Sequence, residues 1–91
     1  MNKQKYEAKR YIADCYFDLK RYTEAIEFYK QIHQNEKVLE CFDLQKKENG
    51  NTVKLAKDKA KFYQEIGLYE KAKEVLTMEA ISIISNSIDS F

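Results

Sequence analysis

The chain has 91 residues, room for a single small domain, and its 44% hydrophobic and 34% charged residues are the balance of a globular chain, not a disordered one. A formal net charge of +1 supplies no global field toward DNA or an anionic membrane. With no proline and only two glycines, the usual breakers are nearly absent, and close to continuous helix is expected.

Taken in order, the 3.6-residue period predicts four or five helices. The first covers about Gln4 to Leu19, with Ala8, Tyr11, Ile12, Cys15, Tyr16 and Leu19 on one broad face. Lys20-Arg21-Tyr22 reads as a tight turn, and Thr23 as the N-cap of the second helix, because its hydroxyl can accept a free N–H of the first turn. Glu24 and Glu27 then fall near that helix's positive end. Ala25, Ile26, Phe28, Tyr29 and Ile32 make the second helix apolar over more than half its circumference.

A break is expected near Gln34-Asn35, one long bent helix being the alternative, and Val38, Leu39 and Phe42 open a third stripe that reaches about Lys47. Asn49-Gly50-Asn51 suits a turn with positive φ, and Thr52 can cap the next helix. That fourth helix runs from about Val53 to Ile66 with Leu55, Ala56, Ala60, Tyr63 and Ile66 inward. Gly67 ends it, and a fifth begins near Tyr69 or Glu70.

Compared with itself, the chain repeats. "YFDLKRYTEAIEFY" at 16–29 aligns without a gap on "YQEIGLYEKAKEVL" at 63–76, an offset of 47 residues. Tyr16 falls on Tyr63, Leu19 on Ile66, Tyr22 on Tyr69, Ala25 on Ala72 and, upstream, Ala13 on Ala60. Small residues at fixed points let paired helices approach closely. A second, shorter echo relates "AIEFYK" at 25–30 to "VLECFD" at 38–43, thirteen positions later.

These motifs resemble the tetratricopeptide repeat. The aliphatic, small and aromatic positions of that family's helix A are matched by "IADCY" at 12–16, and its turn aromatic and helix B small residue by "YTEA" at 22–25 and "YEKA" at 69–72. The turn glycine is matched at Gly67 only, and the resemblance covers about 8–34 and 54–80. The chain departs from the family at Lys9 and Ala56, where a large aromatic is usual, at Ile32 and Glu79, where a small residue is usual, and at Lys59. The family period is about 34 residues, so thirteen are extra, and the short joined units also look like the irregular solenoids of coat and intraflagellar-transport subunits. The resemblance implies an all-α fold over 1–91, with antiparallel hairpins stacked as a short superhelix. It also implies a protein–protein interaction module that joins or builds a larger assembly.

In the family the concave surface is lined by helix A. The resemblance therefore places Lys54, Lys57, Lys61 and Gln64 on partner-facing positions of the second repeat, and Glu7, Arg10, Asp14 and Phe17 on those of the first. An acidic linear motif is the alternative ligand, since three ammonium groups within two turns are relieved by a bound anion; nucleic acid on the same lysines ranks below it. Arg10 fits the basic role of a chaperone-tail clamp, but Asp14 stands where that clamp has asparagine and repels a carboxylate.

A repeat of this kind requires neighbours for its apolar stripe. Ile81, Ile84, Ile88 and Phe91 continue one stripe in "AISIISNSIDSF", so the expected partners are another protein, the remainder of a longer solenoid, or a second copy through this end. His33 is expected on a solvated helix end, and Glu24, Glu27, Glu36 and Glu40 in surface pairs. Cys15 and Cys41, without C-x-x-C spacing, read as small buried hydrophobes in a reducing compartment. No Ser–His–Asp set, ligand-spaced histidine or phosphate loop can be assembled, so no enzyme, cofactor or metal is expected. The polar start does not read as a secretory signal, and "AISII" is far short of the ~20 residues of a membrane span. The expected place is cytoplasmic, with nuclear or ciliary alternatives.

Overall fold

The computed structural model describes residues 2–50 and 52–78, and every regular element among them is a helix. The order is α1 (Lys3–Asp18), α2 (Tyr22–Gln31), α3 (Asn35–Asn49) and α4 (Val53–Glu65), followed by α5 over 69–78. Periodicity thus places the elements to within two residues, and the break before Asn35 replaces the long bent helix. The C-terminal stripe Ile81, Ile84, Ile88 and Phe91 lies outside the described residues. The chain divides into two compact units, Met1–Gln45 and Lys46–Phe91.

In the first unit α1 starts on Asn2, whose side chain accepts from the Gln4 N–H at 2.7 Å, satisfying one of the free donors of the first turn. α1 and α2 form an antiparallel hairpin: Phe17 meets Tyr22 edge to face at 5.7 Å beside the turn, and Tyr16 stacks on Phe28 of α2 at 5.9 Å. Ala13 and Ala25 are fully buried in this unit. α3 also reaches α2, where Gln45 Nε2 donates to Thr23 Oγ1 at 3.1 Å. Thr23 is therefore not the N-cap of α2; Arg21 takes that place without a side-chain cap bond.

The turn itself explains the shift. Lys20 adopts φ 61°; its N–H donates to Phe17 O at 3.0 Å and the Arg21 N–H to Tyr16 O at 2.8 Å. This is the Schellman arrangement, which closes the last carbonyls of a helix. It recurs thirteen residues later, where His33 has φ 58° and the bonds run from His33 to Lys30 O and from Gln34 to Tyr29 O. It recurs again 47 residues on, where Gly67 has φ 81° and the bonds run from Gly67 to Gln64 O and from Leu68 to Tyr63 O, at 3.0 and 2.8 Å. In each copy the next helix opens with one further bond, Ala25 to Arg21 O, Val38 to Gln34 O and Ala72 to Leu68 O, all at 3.1 Å. Both offsets in the sequence are thus repeats of one backbone unit.

In the second unit the Thr52 hydroxyl accepts from the Leu55 N–H at 3.1 Å and caps α4, as expected, after a loop in which Gly50 has φ 80°. Ala56, Ala60, Phe62 and Ala72 are buried. Leu55, Tyr63 and Ile66, expected innermost, are only half-buried, and Phe62 takes the deepest place on α4.

One expectation about α1 is overturned. The face carrying Ala8, Tyr11, Ile12, Cys15 and Leu19 is exposed, and Cys15 with it, while Tyr16 is half-buried and Ala13 is buried, as its place at the helix contact requires. Periodicity locates an apolar face but does not supply anything to cover it. Cys41, in contrast, is buried as expected.

Candidate binding surface

The residues that the resemblance leads us to expect on one face of the first repeat come together. Arg10, Asp14 and Phe17 occupy successive turns of α1 and line an open groove of about 320 Å³, joined by Tyr29 of α2, Gln34 of the turn and Lys37 of α3. Glu7 and Tyr11 extend it along α1, lining a further cavity of about 260 Å³ with Arg10 and Asp14. The groove lies wholly in the first unit.

Its floor is held by a polar network. The Tyr29 hydroxyl donates to Asp14 Oδ1, and Arg10 Nε lies 3.9 Å from Asp14 Oδ2. Asp14 is thereby fixed in rotamer, while the Arg10 head remains largely exposed and its long contact contributes at most about 1 kcal/mol. Burial, then the bond to Asp14, raises the Tyr29 pKa well above the ordinary phenol value. At one end Gln34 Nε2 donates to the Tyr6 hydroxyl. At the other the Lys37 ammonium stands 4.8 Å over the Phe17 ring and 3.5 Å from Glu40. The groove therefore presents the largely exposed Arg10 guanidinium, the Lys37 ammonium over the Phe17 ring, and the carboxylates of Asp14 and Asp18.

Tyr29, Gln34 and Lys37 join the groove without having been expected there. A signal existed in the repeat: the 47-residue equivalents of Tyr29 and Asp14 are Leu76 and Lys61, so a hydroxyl appears where an acid faces it and is replaced by a methyl-ended side chain where none does. In the second unit Lys54, Lys57, Lys61 and Gln64 are all exposed on α4, and the three lysines form no ion pair with a described residue.

The acids expected in surface pairs divide. Arg21 and Glu24 pair at 3.3 Å and Lys37 and Glu40 at 3.5 Å, whereas Glu27 and Glu36 are simply exposed. His33 is exposed in its left-handed turn position. Among the described residues no group of three His, Cys, Asp or Glu could hold a metal ion, and no helix is long and apolar enough to cross a membrane. No family model, curated protein or solved structure matches the chain.

Proposed function

We propose that the chain is a protein–protein interaction module, a segment of a tetratricopeptide-like α-solenoid that joins or builds a larger assembly in the cytoplasm. The observation that carries this reading is the bare apolar face of α1, with Tyr11 and Leu19 at its ends. Exposed apolar surface of this kind marks an interaction site, and a helical hairpin repeat is completed by neighbours. The recurring turn supports the solenoid part of the proposal, because one hairpin geometry reproduced along a chain is what stacking requires.

Photocrosslinking tests it. p-Benzoylphenylalanine in place of Tyr11 or Leu19, in cells of the source organism, is expected to form adducts with protein, whereas the same residue at exposed Lys47 gives only background. Equal labelling at all three positions sinks the reading.

A second reading, a receptor for an acidic linear motif, is favoured by Lys54, Lys57 and Lys61, which form no ion pair with a described residue. Replacing all three with glutamate is expected to abolish such binding and leave the Tyr11 and Leu19 crosslinks intact. A nucleic-acid role of the same lysines requires affinity that falls steeply with salt.

A further inference from the structure

At several equivalent positions one repeat leaves bare what the other covers, though Tyr11 and its equivalent Asp58 are both exposed. On α1, Leu19 and Ile12 are 66% and 41% exposed and Cys15 is exposed; their equivalents 47 residues on, Ile66, Lys59 and Phe62, are half-buried, half-buried and 1% exposed. On α5 the order reverses. Tyr69 and Leu76 are 68% and 40% exposed, whereas the equivalent Tyr22 and Tyr29 of α2 are 7% and 1% exposed. The first repeat thus buries its second-helix face and bares its first-helix face, and the second repeat does the opposite.

We propose that a second copy of this chain occupies the bare α1 face, docking it against the α5 face of its neighbour in a head-to-tail contact. This rests on the interaction-module reading and names its partner. The equivalents of Cys15 and Leu19 on α1 and of Tyr69 and Leu76 on α5 are wholly or half covered within the chain, so these positions are of a kind that becomes covered, and a second copy supplies both halves at once. Charges of both signs line the two helices, Lys5, Glu7 and Lys9 on α1 and Glu70, Lys71, Lys73 and Glu74 on α5, so no like-charge field opposes the approach. The contact joins different surfaces of the two copies, so it propagates as a ladder of oligomers unless a ring closes.

Sedimentation velocity over a concentration series reads this directly. The native chain is expected to gain mass with concentration in steps of one chain. Leu19→Glu blocks the α1 face and Leu76→Glu the α5 face; each alone is expected to weaken self-association about tenfold or more, since a charge enters an apolar contact. Mixed in equal amounts, the two variants still hold one intact face each and are expected to form a dimer that neither forms alone. Both positions are exposed, and circular dichroism verifies that the variants remain helical.

A short bismaleimide provides an independent readout, linking Cys15 of one copy to Leu76→Cys of another. A native chain that stays monomeric at its highest attainable concentration overturns the proposal. So does a mixture no different from its components, which signals a symmetric contact. Failure here with persistent crosslinks from Tyr11 to another protein removes only the second copy as occupant; failure of both removes the interaction reading.

Discussion

The two cysteines have the same chemistry and opposite surroundings. Cys41 is fully buried, and burial, followed by the nearby Glu40 charge, pushes its thiol up to about 11. Because the thiolate is the reactive form, Cys41 at pH 8 is both sealed off and protonated in all but about 0.1% of molecules. Ellman's reagent is expected to release one equivalent promptly from the native chain, from Cys15, and a second only on unfolding; in Cys15→Ser the prompt phase disappears. The same shift sets a pH limit. Cys41 and Tyr29 both hold their protons more tightly folded than unfolded, so their contribution is complete below the ordinary values of 9.0 and 10.0. It is lost as pH rises through the folded values. Urea-derived stability is expected to fall from about pH 9 upward, by on the order of 1 kcal/mol per pH unit, and the fall in Cys41→Ala to begin about one unit later.

At the scale of the element, one turn recurs with three different residues in its left-handed position. Gly67 has no side-chain penalty there, and Lys20 and His33, at φ 61° and 58°, do. Gly67→Ala is expected to cost about 1 kcal/mol through backbone conformation alone, since an added Cβ meets nothing within 4 Å. Lys20→Gly and His33→Gly are expected to stabilise by about 0.5–1 kcal/mol each. Thermal denaturation of the three variants separates this from side-chain contacts, because both Lys20 and His33 are exposed. The turn is legible in the sequence at Gly67, where glycine announces it. At His33 it is legible only as a pause, because nothing in that residue's chemistry favours positive φ; the helix periods on either side have to imply it.

At the scale of the molecule, the aromatic residues sort into core and surface in a way their spacing does not dictate. Tyr29→Ala is expected to cost roughly 3–5 kcal/mol, since the side chain is buried. Tyr11→Ala, at 73% exposure, is expected to lie within about 0.5 kcal/mol of the native chain. Chemical denaturation of the two variants checks the contrast, and equal costs contradict the outward orientation of α1. Among the candidate site residues, Arg10, Asp14 and Phe17 are expected on one side of α1 through the resemblance to the tetratricopeptide repeat, and they do line one groove. The residues that complete their groove come from other elements and have no such guide.

The sequence by itself determined the helices, their turns and the two repeat offsets, down to the four alanines at 13, 25, 60 and 72, all buried. These properties follow from local periodicity, breaker placement and side-chain size, which act within a few residues of each other. Only the tertiary structure decided that α1 turns its richest apolar face outward, that Cys15 is accessible while Cys41 is sealed, and that the Tyr29 hydroxyl anchors Asp14 from another helix. An apolar stripe records what a helix can bury. Whether anything lies against it depends on residues distant in the chain, and that is settled only by packing.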